Sequence, residues 1–174
     1  MEQGINRSTR LVEQLLALSR LETSIQTGQI VAKSLNWKFL CEQLTDEYRY
    51  DIAAKKLSLQ ISENGQGPFA EGNPVLVELM LRNLLDNAIK YSPQEAKIVI
   101  NIGNSYIEVR NTDVQIKPQD LLKLGQRFFR VAGQNEKGNG IGLSIVKCIA
   151  DFYTCNLTFA NPENIFCAKI ERKD

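Results

Sequence analysis

Arg82-Asn83-Leu84-Leu85-Asp86-Asn87-Ala88-Ile89-Lys90-Tyr91 is the most unusual stretch of this chain, and its spacing sets how the rest is read. Asn83 and Asn87 lie four residues apart, and Lys90 and Tyr91 follow three and four residues after Asn87. In a helix such positions share one face, while Leu84, Leu85 and Ala88 turn towards the other. Two amide oxygens one turn apart can ligate a hard divalent cation, and a lysine one turn further on can meet phosphates that the cation bridges. A solvated polar face would show the same spacing. Helix signals bracket the stretch: Asn73 is a capping residue, Pro74 suits the first helical position, and Ser92-Pro93 stops the helix after Tyr91.

Working outward, Ile98, Ile100 and Ile102 alternate before Gly103-Asn104-Ser105, and Ile107 and Val109 alternate after it, which predicts a β-hairpin. Upstream, Phe39, Leu40, Leu44, Tyr48 and Ile52 predict a helix from after Asn36 to about Lys56, followed by a strand through Leu57, Leu59 and Ile61. Downstream come a short helix from Pro118, a glycine-bearing loop, a helix from about Gly140 to Tyr153, and strands over 156–160 and 166–171. Strands and helices interleave without a regular strand-helix repeat. The expected fold is therefore α/β, a two-layer α/β sandwich with a mixed sheet rather than a Rossmann fold.

At the N-terminus, Ile5, Leu11, Val12, Leu15, Leu16, Leu18 and Leu21 predict an amphipathic helix within 1–24. Its apolar stripe calls for a partner helix from a second copy of the chain, the alternative being an ordinary N-terminal helix folded onto its own domain. Because this helix starts next to Met1, the chain reads as a piece cut from a longer protein. Residues 25–34 are polar, carry Gly28 and read as a linker into a main domain over 35–174.

Composition removes several function classes. Twenty-one Lys and Arg against 20 Asp and Glu leave a net charge of +1, too little to hold the chain on nucleic acid or an anionic membrane. With no histidine, a Ser-His-Asp triad cannot be built, and four cysteines without a Cys-x-x-Cys pair offer no familiar zinc set. That cysteine usage fits a reducing, cytosolic compartment. No run approaches the roughly 18 apolar residues of a membrane span.

Two further segments carry chemistry. Gly138-Asn139-Gly140-Ile141-Gly142-Leu143-Ser144-Ile145-Val146-Lys147 opens a helix with three glycines at alternate positions. Such a start lets backbone amides approach an anion, with the helix dipole in support, though a plain hinge would read alike. Gln126-Arg127-Phe128-Phe129-Arg130 offers arginines to a terminal phosphate, or an aromatic anchor to the core.

An asparagine-rich helix, an Arg-Phe-Phe-Arg segment and a Gly-x-Gly-x-Gly-Leu helix start, in this order, resemble the catalytic ATP-binding domain of bacterial sensor histidine kinases. That domain has the Bergerat-type fold shared with DNA gyrase, a heat-shock chaperone and the mismatch-repair protein MutL. Residues 4–21 resemble the second helix of the family's dimerisation and phosphoacceptor hairpin. The resemblance implies ATP and Mg²⁺ as cofactors. It implies that Asn87 coordinates Mg²⁺ with Asn83 supporting or joining it, and that Lys90 and Tyr91 contact phosphates and sugar. It further implies that Arg130 approaches the γ-phosphate and that Gly138, Gly140 and Gly142 line the triphosphate. By the same resemblance Ile116, Ile141 and Leu143 would complete the nucleotide contacts, and residues 131–139 would form an ATP lid.

One box departs from the family pattern. Asp-x-Gly-x-Gly usually follows the central hairpin, and here Asn111-Thr112-Asp113-Val114-Gln115-Ile116 stands in its place. Asn111 can still accept a hydrogen bond from the adenine amine, but it is neutral, and losing both glycines restricts the backbone. A register slip of two would bring in Asp113. The hydrolytic relatives carry a glutamate one turn before the metal-binding asparagine; here Asn83 occupies that position and cannot act as general base. The resemblance thus implies phosphoryl transfer to a histidine outside this chain, then to an aspartate of a response regulator. It also implies a homodimer with a second kinase subunit through the hairpin, and the cytoplasmic portion of an inner-membrane sensor. No nucleic acid and no direct membrane contact are expected. A catalytically silent regulatory module is the alternative.

Overall fold

The computed structural model describes residues 31–131 and 139–173. The expected N-terminal helix, most of the linker and Gly138 lie outside these residues. The last two residues of the stretch read as linker form a strand, β1 (Lys33–Ser34), paired antiparallel with β3 (Glu71–Gly72). They therefore belong to the domain itself.

A five-stranded sheet in the order β2-β4-β5-β7-β6 carries the rest. Its strands are β2 (Ser58–Glu63), β4 (Lys97–Ile102), β5 (Tyr106–Asn111), β6 (Cys155–Ala160) and β7 (Phe166–Arg172). β2 runs parallel to β4, and the remaining pairs are antiparallel, so the sheet is mixed as expected. Ile98, Ile100 and Ile102 of β4 with Ile107 and Val109 of β5 point into the core, where the helical layer covers them. Burying one such side chain contributes roughly 1.5–3 kcal/mol, so this row fixes the register of the central hairpin.

The helices are α1 (Trp37–Glu47), α2 (Arg49–Ala54), α3 (Pro74–Tyr91), α4 (Pro118–Leu121) and α5 (Gly142–Phe152). The single helix expected from Asn36 to about Lys56 is two helices. Tyr48 leaves helical geometry with ψ near 5°, and both Tyr48 and Ile52 then pack against the core. α3 has the bounds its punctuation predicts: the Asn73 side chain accepts from the amides of Val75 and Leu76, and the helix ends before Ser92. The Lys55 Nζ closes it, donating to the carbonyls of Ile89, Lys90 and Ser92 at 3.1, 2.6 and 3.2 Å. A cation on these carbonyls offsets the negative end of the helix dipole. α5 starts at Gly142, two residues later than expected, because Gly140 is held at φ +70°.

Away from the helices, the sheet carries a polar cluster. Glu108 of β5 is buried and accepts hydrogen bonds from Cys167 Sγ at 2.8 Å and Asn101 Nδ2 at 3.2 Å. The Arg110 Nε pairs with it at 2.6 Å. Burial pushes the Glu108 carboxyl up, but the hydrogen bonds from Cys167, Asn101 and Arg110 outweigh it and hold the group below the usual carboxylate range. Burial, then the adjacent Glu108, pushes the Cys167 thiol up to about 12. No helix among the described residues is long and apolar enough to cross a membrane.

Candidate functional site

α3 and α5 pack side by side, and the start of α5 faces the C-terminal half of α3 across an open cleft. The cleft is open to solvent, and the space within it, counted to its mouth, is about 850 Å³. One wall comes from α3, with Asn83, Asp86, Asn87, Lys90 and Tyr91. Asn139, Gly140 and Gly142 stand opposite, and Gln126, Phe129, Arg130 and Val131 border the mouth. Asn111, Ile116, Leu124, Leu143 and Phe166 form a mainly apolar end. Segments far apart in sequence are thus joined at one place, and a solvated polar face does not describe α3.

Asn83 is only 7% exposed, and its Nδ2 donates to the Leu79 carbonyl at 2.8 Å. That bond turns Oδ1 towards Gly142, where an added Cβ would stand 2.9 Å from it and 3.6 Å from the Nδ2 of Asn87. Gly142 therefore keeps open the space between the two asparagines and the helix start. At the start of α5 the Ile141 amide donates to Asn139 Oδ1 at 3.2 Å and the Ser144 amide to the Ile141 carbonyl at 3.0 Å, which leaves the amides of Gly142 and Leu143 to meet an anion. Lys90 Nζ lies 5.4 Å from the Tyr91 ring centroid, a cation–π contact that sets the lysine beside the cleft.

Gly140 does a different job. The Phe128 amide donates to its carbonyl at 2.9 Å, and an added Cβ would meet the Phe128 carbonyl carbon and Phe129 oxygen at 2.7 Å. Backbone crosses backbone there, so only a residue without a side chain fits. Ile141 lies 1% exposed in the core and is absent from the cleft wall, because an apolar residue at the helix start turns inward.

Asn111 reaches the far end of the cleft. It is 1% exposed, and its Oδ1 has no hydrogen-bond partner among the described residues. A buried acceptor left unpaired costs about 1–3 kcal/mol, so the position suits a donor brought by a ligand. Asp113 is exposed, takes a bond from Thr112 Oγ1 at 2.8 Å and does not line the cleft, which excludes the slipped register. It holds φ at +62°, so this aspartate keeps the left-handed backbone that the first glycine of the family box favours.

Several contributors were not foreseen. Asp86 lines the cleft although it is offset around the helix from Asn87, since the wall is wider than one stripe. Asn161 clips the segment after β5 in place: its Nδ2 donates to the Val114 carbonyl at 2.8 Å, and its Oδ1 accepts from the Ile116 amide at 3.0 Å. No local pattern could find a contact spanning 45 residues.

Among the described residues no three His, Cys, Asp or Glu side chains gather to hold a metal. Mg²⁺ commonly takes only one or two protein ligands beside substrate phosphates. Asn83 turns its Oδ1 to the space kept by Gly142, and Asn87, whose Nδ2 faces it, offers its Oδ1 there once its amide is flipped; the pair fits that ion, and a caged structural metal does not.

Residues 72–169 match the model of the histidine kinase-, DNA gyrase B- and HSP90-like ATPases. The chain is 39% identical over 163 residues to the sensor protein QseC of Escherichia coli O157:H7, covering 94% of this chain and 36% of that protein. It thus spans about a third of the length of that curated relative. The solved cytoplasmic segment of the histidine kinase QseC superimposes with a TM-score of 0.65 and 27% identity, covering 98% of this chain and 95% of that one. Histidine kinase ThkA, solved in complex with the response regulator TrrA, shares the fold at 20% identity and a TM-score of 0.65, with 91% of this chain and 49% of that one covered. With the glycine-started helix, the asparagine face and the antiparallel core of the sheet inside the matched span, the chain belongs to the histidine kinase-, DNA gyrase B- and HSP90-like ATPase family.

Proposed function

We propose that the cleft binds Mg-ATP and that this domain transfers the γ-phosphoryl group to a histidine of a dimerisation hairpin, for relay to a response-regulator aspartate. One observation carries the reading: the asparagine face of α3 opposes the start of α5, with an unpaired buried acceptor at the apolar end between them. A triphosphate needs donors and a cation at one end, and a purine needs an apolar slot with a polar contact at the other.

In this reading Asn87, with Asn83 beside it, holds Mg²⁺, which when bound neutralises phosphate charge. Lys90 and Arg130 meet phosphate oxygens as fixed positive charges, and the amides of Gly142 and Leu143 cradle them. Ile116, Leu143 and Phe166 exclude water from the base, and Asn111 accepts from its amine. The expected ATP lid, apart from Val131 and Asn139, lies outside the described residues, and so does Gly138. Asn83 cannot take a proton from water at neutral pH, so transfer rather than hydrolysis suits the site. The acceptor must be supplied separately, because the chain has no histidine. The response-regulator partner is supported by the ThkA–TrrA complex. The homodimer through the hairpin and the place on the cytoplasmic side of a membrane sensor are supported by the likeness to QseC.

The test is titration of the chain with a fluorescent ATP analogue with and without Mg²⁺, followed by ³²P transfer from ATP to a separate hairpin polypeptide carrying the histidine. Mg-dependent binding and an acid-labile phosphohistidine are expected, and Asn87→Ala should abolish the Mg-dependent part while leaving the circular dichroism spectrum intact. Equal binding by Asn87→Ala, or no labelled hairpin, would overturn the reading.

A further inference from the structure

We propose that the base end of this cleft accepts 6-oxopurine nucleoside triphosphates nearly as well as ATP, because Asn111 is the polar group that reads the 6-position. The inference rests on the reading of the cleft as a nucleotide site and deepens it.

Asn111 ends β5 with its backbone locked in the ladder, opposite Ile98 on one side and Phe166 on the other. Its side chain is therefore delivered to a fixed point in the cleft wall. The residue is nine-tenths buried and more, and its Oδ1 finds no partner among the described residues. Nothing there holds that oxygen in one orientation, so half a turn of the amide breaks no hydrogen bond to it. The remaining lining at this end is apolar, with Ile116, Leu124, Leu143 and Phe166 offering no competing donor or acceptor.

A carboxylate has acceptors only, whereas an amide has an acceptor and a donor a little over 2 Å apart, roughly. The amine at position 6 of adenine donates to Oδ1 in one orientation. The carbonyl at position 6 of hypoxanthine or guanine accepts from Nδ2 in the other. A carboxylate at this point would repel that carbonyl and leave its own charge buried without a partner. With Asn111 neither purine leaves an unpaired polar atom at the 6-position, so the site lacks the term that usually separates them.

The test is displacement of a bound fluorescent nucleotide from the whole chain in Mg²⁺ by ATP and by ITP, which carries a carbonyl in place of the 6-amine. ITP is expected within about tenfold of ATP, since each base makes one neutral hydrogen bond. Asn111→Asp is expected to tighten ATP about fivefold and weaken ITP at least tenfold. If ATP binds and ITP is weaker by a hundredfold or more in the unaltered chain, the inference fails while the nucleotide reading stands. If neither nucleotide displaces the probe, the nucleotide reading itself fails. Should Asn111→Asp not fold, as circular dichroism would report, the ratio in the unaltered chain decides alone.

Discussion

Gly140 and Gly142 stand two residues apart, yet alanine at each should have opposite consequences. At Gly140 the backbone sits at φ +70°, where an L-residue costs roughly 1–2 kcal/mol. The new Cβ would also press on the backbone of Phe128 and Phe129 at 2.7 Å, and moving packed backbone adds about 1 kcal/mol or more. Gly140→Ala should therefore cost about 2–3 kcal/mol, a fall in Tm of roughly 5–12 °C for a domain of this size. At Gly142 the backbone is helical, and the Cβ presses on the amide oxygen of Asn83 at 2.9 Å, with Asn87 Nδ2 at an ordinary contact distance of 3.6 Å. Turning that amide aside loses its bond to Leu79, about 1 kcal/mol, and the gain from replacing a helical glycine offsets it by about 0.5–1 kcal/mol. Stability should stay within roughly 0.5 kcal/mol, while Mg-dependent nucleotide affinity falls about tenfold, or about 1.4 kcal/mol, because the Asn83 oxygen turned aside no longer supports the cation. Thermal unfolding followed by circular dichroism, run beside nucleotide displacement, separates the two effects. Equal Tm losses in both variants, or unchanged nucleotide binding by Gly142→Ala, would refute the division of labour drawn between these glycines.

Asn161→Ala should release the segment through Ile116 and weaken nucleotide binding about fivefold to tenfold, because two hydrogen bonds of about 1 kcal/mol each hold that segment; displacement assays read this directly. Lys55→Met should lower stability by about 1–2 kcal/mol in urea unfolding, since three carbonyls at the end of α3 lose their cation. Glu108 has a folded pKa below its unfolded value, so its contribution is complete above about pH 4.3 and disappears as pH falls through the lower folded value. Glu108→Gln should flatten the acid limb of stability below about pH 5 and cost roughly 1–3 kcal/mol at pH 7, measured by unfolding across that range. An unchanged acid limb in Glu108→Gln would place the proton uptake elsewhere.

Much of the architecture is legible because its signals are local. Asn73-Pro74 and Ser92-Pro93 delimit α3 to the residue, and the alternating isoleucines with Gly103 between them locate the hairpin of β4 and β5. The break at Tyr48 is not legible, since the apolar spacing runs through it and only packing on the core decides it. In the cleft, the face bearing Asn83, Asn87 and Lys90 follows from helical geometry alone. Asn161 and Phe166 do not, because their places depend on the pairing of β7 with β5 and on a turn beyond β6. Glu108 escaped notice for a related reason: an isolated acid in an alternating strand looks solvent-facing until Cys167 is laid beside it.

The left-handed turn at Asp113 bears on how such domains are recognised. Its shape is maintained by Thr112, by Asn161 and by the strand that precedes it, not by the glycine that ordinarily marks it. The memory of the loop is thus held by its neighbours, and the letters of the box can drift while the curve of the chain persists. A search keyed to glycines would pass over this domain, whereas one keyed to a positive φ two residues beyond a buried acceptor at the end of a central strand would find it, together with any cousins whose boxes have worn in the same way.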